Sequence, residues 1–327
     1  MPVYHLQHTS DGGFSEIGAV PAGSVLLLGY FDGVHLGHAA LIWEARDYDR
    51  ECPAAVWTPE AVPKASAEQG LLTTRAEKLR RFGNLGVSYA VIDRFEEIRH
   101  MDGEDFFRHH IMEKYRPCAV VCGENFRFGR NAACTARDLE KFAREAGIGC
   151  RVIPLLGSVM PGSVMPGEES APVSSTEIRR LIASGEIEEA NRLLGYPYSV
   201  EAEIVHGKAL GRTIGCPTIN QRLPEEKIMP KKGVYACTAE FVENGRAAVY
   251  PGVCNIGSRP TVNRDKNDIT LETYIIGFSG DLYGKTVRTS LYGKIRGEKT
   301  FASVEELSKQ IHEDAAAAVE ILKRTKN

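Results

Sequence analysis

The strongest constraint on the fold is a rhythm in the first half of the chain. Five short apolar runs, at 24–31, 54–58, 89–93, 118–123 and 150–156, alternate with segments of helical periodicity at 38–50, 73–86, 102–115 and 136–147. Strands that are apolar on both faces must be covered on both faces, and amphipathic helices between them supply the cover; the pattern predicts a parallel sheet in an α/β layer. Thr74 suits the N-cap of the second helix, and Gly83 or Gly86 its stop. The stretch 157–175 breaks the rhythm with a tandem GSVMP and reads as a loop. Helical spacing returns over 174–195, with Ser175 or Thr176 as a cap and Ser184-Gly185 as a divide.

From Tyr198 the period falls to two. Alternating runs separated by Gly, Asn and Asp turns predict antiparallel β structure, barrel or sandwich, followed by one amphipathic helix over 303–324. Ser303 and Glu306 have the spacing of a capping box at its start. This gives two domains, 1–184 and 198–327, joined by a helical linker at 185–197.

Composition narrows the partners. Across 327 residues the net charge is -3, which argues against a general nucleic-acid binder, and the β half lacks the basic and aromatic interleaving of a single-strand groove. No basic-then-apolar leader opens the sequence, and no apolar run is long enough to span a membrane. The eight cysteines include no CxxC pair, so neither a zinc site nor a disulfide framework is expected, and a reducing cytoplasm is the expected setting.

The decapeptide at 29–38, GYFDGVHLGH, sits between a buried strand and a helix start. Parallel α/β sheets bind ligands beyond the carboxyl ends of their strands, and a helix N-terminus favours phosphate. Gly33 and Gly37 allow close backbone approach, and His35 and His38 flank Gly37 so that both face a triphosphate. As donors they stabilise charge developing on a phosphoryl centre.

In the β half, HGKALGRTIGCPTIN (206–220) spaces Gly207, Gly211 and Gly215 as in a flap around a phosphate or a plain wide loop. Thr218 and Asn220 follow at i and i+2, so on an extended segment their hard oxygens share a face suited to Mg²⁺. Alternation over 268–278 puts Glu272 with Thr270 and Tyr274, opposite Ile269, Leu271, Thr273 and Ile275; a carboxylate at a barrel mouth can take a proton from an attacking hydroxyl. GDLYGKT (280–286) imitates a P-loop, but it is one residue short and leads into a strand, so it reads as a hairpin turn.

The string GYFDGVHLGH resembles the signature of the HxGH nucleotidylyltransferases, in the version found in bacterial bifunctional riboflavin kinase/FAD synthetases. GENFRFG (123–129) is similar to that family's flavin-side motif, and VSSTEIR (173–179) to its second nucleotide-binding motif. The pieces GRTIGCPTIN, GVYA, YPGVCNIGSRPT and DLYGK, with the terminal helix, resemble the riboflavin kinase domain. The resemblance implies a Rossmann-like adenylyltransferase domain followed by a small closed barrel with a terminal helix. It implies riboflavin, FMN and ATP as substrates, FMN and FAD as products, Mg²⁺ as cofactor, and no nucleic-acid or membrane partner. His35, His38 and Arg179 would handle the adenylyl transfer, with Gly29, Phe31, Asp32, Gly33, Gly37, Ser175 and Thr176 around ATP and Asn125 and Phe128 on the flavin. In the kinase half Glu272 would be the base, Thr218 and Asn220 the metal ligands, Gly207, Gly211, Arg212 and Gly215 the phosphate flap, and Arg296 a flavin contact.

The chain also departs from the family. Where the family usually carries a phenylalanine-acid-Pro-His-Pro stretch, residues 56–64 read VWTPEAVPK, with Glu60 or Ala61 near the place of the histidine. Cys216, Ile219 and Tyr274 replace a common aromatic, Ala and His respectively. The first departure raises a second expectation, a riboflavin kinase with a degenerate adenylyltransferase domain. A third is a flavin- or nucleotide-binding regulator without turnover.

Overall fold

A computed structural model describes residues 4–10, 12–60, 69–157, 172–206, 216–243, 245–258 and 269–325. Contacts divide the chain into two compact units, Met1–Ser175 and Thr176–Asn327. This division falls at the first residue of the helix Ser175–Ser184, nine residues before the end of the first domain as read from sequence.

The first unit is built on a seven-stranded sheet of order β2-β1-β5-β4-β3-β6-β9. Its parallel core is β3 (Val25–Leu28), β4 (Ala54–Pro59), β5 (Tyr89–Asp93), β6 (Ala119–Gly123) and β9 (Gly149–Ile153), while β7 (Arg127–Phe128) and β8 (Cys134–Thr135) form a small pair of their own. These are the apolar runs of the sequence. Val25, Leu27, Val56 and Val121 pack into a core cluster on one face, and Leu26, Leu28, Trp57, Val120 and Cys122 into another, which is why the strands show no polar alternation. Two strands were not anticipated: β1 (Tyr4–His8) pairs antiparallel with β5 and carries β2 (Phe14–Ile17) outside it. They are short and mostly only partly buried, so their hydrophobic pattern is weak.

The chain runs outward from β3 through β4 to β5, then returns to β3's other side for β6 and β9. The order therefore reverses between β3 and β6, and a crevice opens there beyond the carboxyl ends. Helix α1 (Leu36–Tyr48) follows β3, and α2 (Arg75–Asn84) precedes β5, with Thr74 and Glu77 forming a reciprocal capping box. The helix across 103–115 is wound as a π-helix over Phe106–Met112, and Arg116, left-handed at φ 44, ends it.

Helix α3 (Ser175–Ser184) starts on the last residue of the first unit, and the second unit takes the rest of it and α4 (Ile187–Leu194), the two helices being divided at Gly185 with φ +86. Six antiparallel strands then close a barrel in the order β10-β11-β14-β13-β12-β15. They are β10 (Ser199–Val205), β11 (Thr218–Arg222), β12 (Gly233–Glu243), β13 (Arg246–Ser258), β14 (Ile269–Ile275) and β15 (Thr286–Arg296). Closure leaves no exposed edge, so the sandwich alternative is excluded. The terminal helix α5 (Val304–Arg324) packs Ala318 against Val234, Ala236 and Val253 on the barrel. Ser303 caps it by accepting from Glu306 N–H, but the Glu306 carboxylate reaches back to Ala302 N–H rather than to the cap, so only half of the expected box forms.

Candidate functional site

The turn between β3 and α1 is tightly wound. Phe31, Gly33 and Val34 all have positive φ, of 54°, 81° and 38°. For a β-branched residue such as Val34 this is a costly conformation, of the kind that persists where surrounding contacts enforce it. The enforcers are visible. The Asp32 carboxylate, 2% exposed, accepts from the N–H groups of Leu72 and Thr73, and the Thr73 hydroxyl lies 3.2 Å from it. Gly33 N–H donates to Thr73 Oγ1, and Ser175 Oγ donates to the Asp32 carbonyl. Asp32, expected beside ATP, thus spends its carboxylate on chain 40 residues away and shapes the loop.

His35 is the N-cap residue of α1 without a side-chain capping bond, and His38 lies one turn on. Their rings stack at 3.7 Å and 20°. Gly37 makes this possible: a Cβ there would lie 3.2 Å from the His35 ring. His38 Nδ1 is buried with no hydrogen-bond partner, and burial, then His35 and Lys78, hold its pKa well below the ordinary imidazole value. Lys78 of α2 was not anticipated. Its Nζ donates to the Tyr30 carbonyl at 2.8 Å, beside the Thr58 hydroxyl at 3.0 Å, and burial lowers its pKa to about 8 against the pull of Asp32. The visible signal was only a lysine at helical spacing behind the capping box.

Beyond the switch point lies a cavity of about 680 Å³, within the range of small-molecule sites. Gly29, Phe31 and His38 line it from the β3 side, Trp57 and Pro59 from β4, and Asn125 and Phe128 from the turn after β6. Motifs about 90 residues apart thus meet in one space. The Trp57 indole N–H donates to Asp93 Oδ2 at 2.9 Å, where Tyr115 Oη (2.8 Å) and His110 Nε2 (2.5 Å) also converge. Burial alone would raise the Asp93 pKa, but His110, Trp57 and Tyr115 hold it well below the carboxylate range. Sequence gave little sign of this cluster beyond one acid at the end of an apolar strand. Glu60 N–H donates to the Asp93 carbonyl, whereas Ala61 lies outside the described residues.

Ser175, Thr176 and Arg179 lie on the first two turns of α3, with Arg179 4% exposed.

In the barrel, register does what the spacing predicted. Glu272 lies directly between Asn220 of β11 and Asn255 of β13, and Thr218 lies opposite Tyr274. Opposed residues have Cβ atoms ~5 Å apart, so amide, carboxylate and amide form one row. Leu271, Thr273 and Ile275 are buried on the other face, where Gln221 donates to the Val287 carbonyl and accepts from Thr289. Glu272 therefore shares the outer face with Val253, against which α5 packs, instead of projecting into the lumen. Thr218 also lines a cavity of about 340 Å³ with Phe278 and Tyr283. The P-loop mimic in its rim is a turn running into β15, as expected. Arg296 grips Asp314 of α5 with two nitrogens, at 3.0 and 2.7 Å, and joins helix to barrel. Gly207, Gly211, Arg212 and Gly215 lie outside the described residues. Among the described residues no cluster of three His, Cys, Asp or Glu side chains is placed to hold a metal.

Comparison with known proteins matches these two regions separately. The family model for FAD synthetase matches residues 18–160 and that for riboflavin kinase residues 194–322. The bifunctional riboflavin kinase/FMN adenylyltransferase of Escherichia coli (strain K12) is 35% identical over 93% of this chain and 94% of its own length. That of Bacillus subtilis (strain 168) is 32% identical over 91% and 92%. The crystal structure of a macrolide-efflux protein from Streptococcus pneumoniae superposes with a TM-score of 0.79 at 30% identity, covering 92% of this chain and 95% of that one. The chain belongs to the bifunctional riboflavin kinase/FMN adenylyltransferase family.

Proposed function

We propose that this protein makes FMN from riboflavin and ATP in its barrel, and FAD from FMN and ATP in its α/β unit. The observation that carries the reading is the cavity at the strand-order reversal, with the HxGH histidine at one wall and the aromatic GENFRFG turn at another. In the first reaction the riboflavin 5′-hydroxyl attacks the γ-phosphorus, the bond to the β-phosphate oxygen breaks, and ADP leaves. Glu272 takes the hydroxyl proton. In the second the FMN phosphate attacks the α-phosphorus and pyrophosphate leaves, with no covalent enzyme intermediate. His38 and His35 at the N-terminus of α1 balance the charge.

The donor set of the barrel fits Mg²⁺. Thr218 and Asn220 offer a hydroxyl and an amide oxygen on one face of β11, with Glu272 opposite Asn220. When bound, the ion neutralises phosphate charge. Eight cysteines without a CxxC pair and the use of ATP fit a cytoplasmic setting.

Two observations favour other readings. The altered stretch Trp57-Thr58-Pro59-Glu60 favours a kinase with a silent first unit. The pneumococcal structure's name suggests macrolide efflux, although no helix among the described residues is long and apolar enough to cross a membrane. One assay separates them: purified protein with ATP and Mg²⁺, given riboflavin or FMN, with flavins resolved by chromatography. FAD in the FMN tube supports both activities. FMN from riboflavin with no FAD in either tube leaves a kinase alone, and no new flavin in either tube overturns the proposal.

A further inference from the structure

We propose that Asp93 is a positioning residue for the flavin, acting through the indole of Trp57; this rests on reading the cavity beyond the switch point as the flavin half-site. Asp93 closes β5 and is 0% exposed. A buried carboxylate is costly, and well-packed apolar residues of similar volume often supply at least as much stability. Its presence calls for a partner that needs an acceptor. Of the three side chains on Oδ2, only Trp57 also lines the cavity. A buried indole N–H must be satisfied, and an ionised acceptor gives a charge-assisted bond that fixes the ring about both its torsions.

The same carboxylate reaches a second wall of the cavity. His110, bonded to Asp93, stacks on Phe106 at 5.5 Å and 21°. Phe106 lines the cavity and meets Trp57 edge-on at 5.4 Å and 73°. Two rings that face the ligand are thus referenced to one buried oxygen, one directly and one through His110. A flat aromatic ligand such as an isoalloxazine gains from walls held at fixed angles, because it then orders no side chain on binding. The groups facing Asp93 include Lys114, whose Nζ is 3.6 Å from Oδ1, and the Arg94 N–H at 3.1 Å, so the carboxylate stays paired if the indole bond is lost.

The test uses the full-length chain with Trp43→Phe, which leaves Trp57 as the single tryptophan. FMN should quench Trp57 emission in this parent. Asp93→Asn should shift that emission and raise the KM for FMN in FAD formation about tenfold, the worth of one hydrogen bond to a charged group, with kcat within about twofold. Trp57→Phe, which keeps Asp93 and an aromatic ring, should raise the same KM. Adding Asp93→Asn to Trp57→Phe should then cost about threefold at most, the part that passes through His110 and Phe106. A full tenfold cost in that background overturns the proposal, because Asp93 would then act without the indole. Should Asp93→Asn fail to fold, an unchanged KM in a folded Trp57→Phe chain overturns it equally. Absence of quenching in the parent while FAD still forms moves the flavin elsewhere, and then the reading of the cavity fails along with the proposal.

Discussion

The residues that face the first cavity are imidazole and large rings set behind a strained turn, whereas the barrel's row is an acid flanked by two amides on an ordinary strand register. Both regions are read as handling ATP, with opposite materials. The α/β unit offers a helix N-terminus, two histidines and a half-buried lysine, groups that carry or accept positive charge. The barrel offers oxygens, which suit a divalent cation rather than the phosphates directly. The supports differ in the same way. Asp32 and Asp93 are each enclosed by several donors, so the first site is held from behind by long-range bonds. Thr218, Asn220 and Glu272 are set in one row by strand pairing, which a sheet supplies through its register.

The sharpest way to break this contrast is to remove one acid. Glu272→Gln keeps shape and row but cannot take a proton. FMN production from riboflavin should fall by a factor on the order of 10²–10⁴, the usual worth of a general base. FAD production from added FMN should be unchanged. Equal kinase rates in the variant would strip Glu272 of its role and reduce the barrel row to an ordinary polar surface.

A smaller and reciprocal effect is expected from His38→Asn. FAD formation should drop about a hundredfold, and the kinase should persist. The same variant reports on pH. Burial, His35 and Lys78 depress the His38 pKa, so the unfolded chain binds more protons than the folded one as pH falls below about 6.5. Stability is therefore greatest above that value and declines below it, by up to about 1.4 kcal/mol per pH unit. Urea melts of the wild type should lose stability on acidification, and those of His38→Asn should lose less. Parallel slopes would mean that His38 does not carry the penalty.

Much of this was legible in the sequence, and the reasons for the failures are physical. Continuous apolar runs gave the parallel strands because burial on both faces leaves a pattern, whereas the half-exposed hairpin of β1 and β2 leaves almost none. The motifs singled out His38 at a helix start and Asn125 and Phe128 about 90 residues later, and the structure brings them to one cavity. What the motifs did not reveal was what each side chain bonds. Asp32 sits in the signature string, yet its partners are Leu72 and Thr73, and no local pattern encodes a contact 40 residues distant. Asp93, Trp57 and the helix that carries His110 and Tyr115 are three separate elements, so their meeting depends on strand order, which the alternation of strands and helices leaves open. Glu272 was correctly paired by alternation with Thr270 and Tyr274, but alternation cannot say which face of a barrel is the lumen.

The subtlest difference between the regions lies in how each is tied to its helices. In the α/β unit the signature turn is bonded to chain on two sides, through Asp32 and Ser175, so no single bond holds it. In the barrel, α5 is anchored by apolar packing and by one two-pronged ion pair, Arg296 with Asp314, whose carboxylate is 3% exposed and also accepts from Gln310. Removing one partner of such a pair leaves a charge in a poorly solvated place, so Asp314→Ala should destabilise the barrel by about 3 kcal/mol. Because α5 covers the face that carries Val253 and the Glu272 row, the loss should reach the kinase first. Warming the variant should end FMN formation several degrees before the wild type, while FAD formation from FMN keeps its normal inactivation temperature. If both activities fail together at the wild-type temperature, the ion pair is an ornament of the surface and apolar packing alone holds the helix.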